Sequence, residues 1–154
     1  MGKPTVRILW AEDNVGDILL IKEAFSQALN PNGSGQAKLN YHLNVVNDGI
    51  EAMNFLLRRG RFSRSRRPDL VILDLNMPKK TGREIIDDIK NTPSLCNIPL
   101  VILTSSAHDQ NVLNGLDPKR CLYIVKPTSF EALVDLAKQI QNFLLLLSGP
   151  QQDS

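Results

Sequence analysis

DLVILDLNMPKKTG, residues 69–82, places one acid, Asp74, directly after four apolar residues, Leu70 to Leu73. A segment this short and this apolar reads as a central strand, buried on both faces of a parallel sheet. A carboxylate at the end of such a strand is costly to bury unless something compensates its charge. Asp74 therefore needs company, and the rest of the chain has to supply it.

On both sides the pattern alternates between strand and helix. TVRILWA (5–11) is a short apolar run with β-branched and aromatic residues, and DILLIKEAFSQAL (17–29) carries apolar residues at helical spacing. NPNGSG (30–35) is loop chemistry. LNYHLNVV (39–46) predicts a second strand and DGIEAMNFLLRR (48–59) a second helix. Beyond strand three, GREIIDDIK (82–90) predicts a helix and IPLVILT (98–104) another fully apolar strand. Residues 108–115 predict a short fourth helix and RCLYIV (120–125) a fifth strand. TSFE (128–131) fits a capping box, with Thr128 as N-cap and Glu131 at the third helical position. The fifth helix then runs to about residue 147, where Gly149-Pro150 ends it. Five strands joined by helices imply an α/β fold, a parallel sheet with helices on both faces. The expected organisation is one domain over residues 1–147 and a tail over 148–154.

Composition bounds the function. The 154 residues allow a sizeable core, and 42% hydrophobic with 22% charged residues is ordinary for a globular protein. No stretch has the form of a signal peptide. No apolar run approaches the roughly 20 residues that span a bilayer. Cys96 and Cys121 lack metal spacing and read as free thiols of a reducing cytoplasm. A net charge of +2 does not argue for nucleic acid. RRGRFSRSRR (58–67) packs six Arg into ten residues but has one aromatic and no second basic patch to extend it. A solvated loop or docking surface is the reading for it. His42 and His108 have no ligand partners at metal spacing and read as surface residues. The chain is therefore expected in the cytoplasm, without membrane or nucleic-acid partners.

In parallel sheets ligands bind outside the carboxyl ends of the strands. Reactive residues fall at those ends here. Glu12 and Asp13 follow strand one, Asp74 ends strand three, Thr104 ends strand four, and Lys126 follows strand five. Three carboxylates brought together repel one another, and Mg²⁺ with oxygen ligands relieves this while also binding phosphate. A carboxylate can act as a nucleophile and form an aspartyl-phosphate. Phosphoryl transfer asks the protein for positioning and charge neutralisation. On this reading Asp74 accepts phosphate, Lys126 and Thr104 meet phosphoryl oxygens, and the acids hold Mg²⁺.

ILWAEDN, VILDLNMPKKTG, VILTSSA and YIVKP together resemble the four signature blocks of the response-regulator receiver domain, over residues 5 to about 146. The resemblance implies a doubly wound, flavodoxin-like, five-stranded sheet in the order 2-1-3-4-5. It implies phosphorylation of Asp74 by a sensor histidine kinase. It implies Mg²⁺ on Glu12, Asp13, Asp74 and the backbone carbonyl of Asn76. Thr104 becomes the switching hydroxyl, Tyr123 the switching aromatic and Lys126 the lysine of the site, with a cis Lys126-Pro127 bond. The lengthened connection around NPNGSGQ, the MPKKTGRE stretch and the expected absence of an output domain resemble the single-domain receivers that partner cyanobacterial phytochrome kinases. Trp10 and Ala11 depart from the small aliphatic residues usual before the acidic pair, and local repacking is expected there.

Two rival functions are weaker. An aspartate-based phosphatase places a second Asp two residues after the nucleophile, where this chain has Asn76. Turnover should then be slow, so a switch is expected and not an enzyme. A phosphate-independent binding module would be expected to have lost one of the five site residues, and none is lost. The last helix adds a partner. Phe130, Leu133, Leu136, Ile140, Phe143 and Leu147 form one stripe, and Leu144, Leu145 and Leu146 lie beside it. An apolar patch left over on a soluble protein marks an interface. A homodimer is expected through the fourth helix, fifth strand and fifth helix.

Overall fold

Runs of Leu, Ile and Val form the central strands because no polar side chain there has to find water on either face. The computed structural model describes residues 5–29, 40–77, 79–105 and 107–147. The 30–35 loop, Pro78 and the 148–154 tail, including the expected stop at Gly149-Pro150, lie outside these. Strands β1 (Thr5–Ala11), β2 (Asn40–Val46), β3 (Leu70–Asp74), β4 (Leu100–Thr104) and β5 (Cys121–Val125) form one sheet in the order β2-β1-β3-β4-β5. The sheet is all parallel and flavodoxin-like, as the resemblance implied. Register pairs Trp10 with Ile72, Asp74 with Leu103, and Thr104 with Val125. Every residue of β3 and β4 is buried, which is why these two segments are continuous apolar runs. Trp10 is accommodated at 1% exposure beside the fully buried Ala11.

By its internal contacts the chain divides into two compact units. One contains Thr5–Val15 and Tyr41–Lys126, with the helices α2 (Gly49–Leu56) and α3 (Gly82–Lys90). Its core joins Leu9 and Ala11, Val71 and Leu73, and Leu100 and Ile102 of the strands to Phe55 and Leu56 of α2 and Ile85 and Ile89 of α3. Each Leu, Ile, Val or Phe side chain among them contributes roughly 1.5–3 kcal/mol when fully removed from water. The other unit includes Gly16–Asn40 and the chain from Pro127. It holds nearly all of α1 (Val15–Leu29) and the whole of α4 (Phe130–Leu147). In α1 the buried Ile21, Ala24, Phe25 and Ala28 keep helical spacing. None of the helices among the described residues is long and apolar enough to cross a membrane.

Three local expectations need correction. Residues 107–113 form a 3-10 helix and not an α-helix. HDQNVLN offers few good helix formers and almost no apolar stripe, so the tighter turn suffices to bring Val112 into the core. The helix opened by TSFE starts one residue later than expected. Ser129, not Thr128, caps it, its hydroxyl accepting from the Ala132 N–H at 3.1 Å. A full capping box instead opens α3, where the Thr81 hydroxyl accepts from the Glu84 N–H at 3.2 Å and Glu84 accepts from the Thr81 N–H at 2.9 Å. Finally, the Lys126-Pro127 bond is trans, as no cis bond occurs among the described residues. Trans is the lower state of an X-Pro bond by roughly 0.5–1 kcal/mol.

Candidate functional site

The ends of β1, β3 and β4 and the residue after β5 converge as the strand-end rule requires. Glu12 and Thr104 are fully buried and Asp74 is 5% exposed. Lys126 reaches them from the turn after β5. Its backbone N–H donates to the Thr104 carbonyl at 2.6 Å, which fixes where its side chain starts. Its ammonium then stands 2.8 Å from Asp74 Oδ2 and 3.1 Å from Glu12 Oε1.

Both acids are held from the other side by backbone. Asp74 Oδ1 accepts from the Asn76 N–H at 2.9 Å, and Glu12 Oε2 accepts from the Asn14 N–H at 3.2 Å. Asp74 thus has one oxygen on a neutral donor and one on a cation. Burial pushes the Glu12 carboxyl above its usual range, and the Lys126 ammonium pulls against this without reversing it. For Lys126, burial would lower the ammonium. The hydrogen bond and charge of Asp74, followed by those of Glu12, outweigh it and hold the pKa well above the usual lysine value. Lys126 is therefore a permanent cation at the site.

The loop after Asp74 is anchored from two directions. Gly82 donates its N–H to the Leu75 carbonyl at 3.1 Å. A Cβ on Gly82 would meet the Asp74 carbonyl oxygen at 2.7 Å, so only glycine allows α3 to start this close to the acid. On the far side of the loop, Lys79 adopts φ 68° and pairs with Asp48 at 3.3 Å. Asp48 itself caps α2 by accepting from the Glu51 N–H at 2.8 Å. These anchors were not legible as site features, because each joins residues distant in sequence. Ser105 is a further addition, its hydroxyl accepting from the Asn76 side chain at 3.4 Å.

Not every expected residue joins the cluster. Asp13 is exposed. Among the described residues, no group of three His, Cys, Asp or Glu side chains is placed to hold a metal ion. Of the three carboxylates expected together, Glu12 and Asp74 form a buried pair sharing one ammonium, which lowers their mutual repulsion. The donor types nevertheless suit a hard cation. Glu12 Oε1 is buried with no aligned hydrogen bond, only its ion pair with Lys126. Tyr123 is half-buried and packs on the core cluster beside β4.

A parallel sheet in this order, with buried acids at the carboxyl ends of β1 and β3 and a lysine after β5, defines a receiver. The chain belongs to the response regulator receiver family, whose model matches residues 15–138. That span opens just after the acidic pair, so Glu12 rests on the geometry above and Asp13 on the sequence alone. The chain is similar to response regulator Rcp1 of Synechocystis sp., at 33% identity over 94% of this chain and 92% of that protein. In structure it resembles the phosphorylated cyanobacterial phytochrome response regulator RcpA, with a TM-score of 0.75 and 34% identity over 94% of this chain and 97% of the other. It also resembles the Mn²⁺-bound form of Rcp1, with a TM-score of 0.73 and 33% identity over 91% and 94%. The protein is thus a receiver domain of two-component signalling, of the kind typified by Rcp regulators.

Proposed function

We propose that Asp74 is the phosphoacceptor of this receiver and that its donor is a sensor histidine kinase of phytochrome type. The observation that supports this most is the placement of Asp74. Its carboxylate is buried at a strand end, with Asn76 orienting one oxygen and Lys126 beside the other. In the step proposed, a carboxylate oxygen of Asp74 attacks the phosphorus of a phosphohistidine. The phosphorus–nitrogen bond breaks, the electron pair leaves with the imidazole, and an acyl phosphate forms. Lys126 moves from the carboxylate to a phosphoryl oxygen, and the Thr104 hydroxyl donates to another. Glu12, Asp13, Asp74 and the Asn76 carbonyl would hold Mg²⁺, which neutralises phosphoryl charge when bound. With Asn76 where a phosphatase has its second acid, self-dephosphorylation is slow, and the domain acts as a switch in the cytoplasm and not as an enzyme.

Transfer from a purified, autophosphorylated cyanobacterial phytochrome kinase carrying labelled phosphate tests the reading. Label should appear on the wild-type chain within the time of mixing and not on Asp74→Asn. Label retained wholly by the kinase, or transferred equally to Asp74→Asn, would overturn it.

A further inference from the structure

The arginine-rich stretch is not used by that function, and it does not lie at the phosphoacceptor end of the sheet. Arg64, Ser65 and Arg66 lead into the start of β3, and with Arg7, His42 and Asn44 they line a groove of about 270 Å³ walled by Phe55. Arg7 is near the start of β1 and Glu12 follows its end. At about 3.3 Å per residue, some 16 Å of strand separates the two. His42 and Asn44 are two apart on β2, so they present to one face.

Among the described residues, no ion pair offsets the guanidinium charges in this groove. Asp69, the acid beside Arg7, is engaged with backbone, its carboxylate accepting from the Arg7 N–H at 2.9 Å. Elsewhere in the run, Arg61 pairs with Glu51 and lies 4.4 Å over the Phe62 ring, and Arg67 donates to the Leu56 carbonyl at 3.4 Å. Among the described residues, no carboxylate pairs with the guanidinium of Arg7, Arg64 or Arg66. Three guanidiniums around one small space repel one another, and an anion relieves this.

We propose that the groove is a binding site for a small phosphate-bearing anion. Guanidinium forks match phosphate oxygens in pairs, and the imidazole, amide and hydroxyl of His42, Asn44 and Ser65 supply further donors around them. The volume is at the small end of ligand pockets, enough for a diphosphate or a small phosphate ester. Nucleic acid offers the same phosphate chemistry, but it would need aromatic faces for its bases. The one aromatic of the run, Phe62, is instead packed on Phe55 at 5.1 Å between ring centroids and capped by Arg61.

Titration with inorganic pyrophosphate in EDTA, read by amide chemical shifts and by calorimetry, tests this apart from the acid cluster. Saturable binding should shift residues 7, 42–44 and 64–66 and leave 12–14, 74–76 and 126 in place. Losing charged contacts costs about tenfold or more in affinity each, so Arg64→Gln/Arg66→Gln should raise Kd by at least that. Arg58→Gln/Arg59→Gln removes the same charge outside the groove and should change Kd by less than about twofold. Asp74→Asn should leave pyrophosphate binding intact, which separates this site from the phosphoacceptor. No saturation at millimolar pyrophosphate, or equal losses in both double variants, would overturn the proposal. So would a single-stranded oligonucleotide that binds more tightly than pyrophosphate and shifts the same amides.

Discussion

Lys126 stands within 3.1 Å of two carboxylates that β1 and β3 hold out of water. Removing the ammonium while keeping its stem would leave Glu12 and Asp74 facing each other uncompensated. Lys126→Met is expected to cost roughly 1–3 kcal/mol, less than breaking a fully buried pair, because 30% of the lysine side chain is exposed. Urea unfolding in EDTA measures it, and an unchanged midpoint would show that the carboxylates do not depend on this lysine. Asp48 gives the pH-dependent counterpart. Burial alone would raise its carboxyl, but the Glu51 N–H and the Lys79 ammonium outweigh this and hold it below the usual carboxylate range. A depressed carboxyl stabilises the fold above its unfolded value, and that stability is lost as the pH falls through the folded one. Asn caps helices as well as Asp does, so Asp48→Asn removes only the charge. It should cost about 0.3–1 kcal/mol at neutral pH, and the gap to wild type should close in acid. A gap that is constant from neutral to acidic pH would contradict this.

Among elements, the loop between β3 and α3 sets the geometry of the site, and α2 supports it. A Cβ on Gly49 would lie 1.7 Å from the Lys80 carbonyl oxygen. Gly49→Ala should therefore displace the loop or α2 and destabilise the fold by roughly 1–3 kcal/mol, the usual range for overpacking. Chemical unfolding measures the cost, and a stability equal to wild type would mean that the loop is free to yield. The contact also shows where reading the sequence stops. β3 and β4 were legible because a strand buried on both faces must be apolar throughout, and Asp74, Thr104 and Lys126 because they sit where β3, β4 and β5 stop. Gly49 gave no such signal, since its constraint comes from the carbonyl of Lys80, distant in sequence. At the start of α4, Thr128 and Ser129 are both capping residues, and only the backbone path decides between them. The sharing of Lys126 by Glu12 and Asp74 was likewise invisible, because charge type fixes which groups attract and not which oxygen each one meets.

For the whole molecule, the dimer expectation rests on the end of α4, and the structure narrows it. Leu144 is buried, Leu145 is half-buried and Leu146 is 75% exposed. The apolar surface left over is thus smaller than the three leucines expected. A two-fold contact through Leu145 and Leu146 remains the prediction, with Leu146→Asp expected to turn a dimer into a monomer in sedimentation equilibrium at micromolar concentration. A wild-type protein that is monomeric both with and without beryllofluoride would contradict it. The central claim, that Asp74 is a metal-assisted phosphoacceptor, is tested most directly by acetyl phosphate, which needs no kinase. The chain is incubated with it in Mg²⁺ or in EDTA, and the modified residue is located by mass spectrometry. The account predicts one phosphoryl group on Asp74 in Mg²⁺ and little in EDTA, with none on Asp74→Asn and a reduced yield for Asp13→Ala. Phosphorylation at another residue, or labelling of Asp74→Asn equal to wild type, would contradict it.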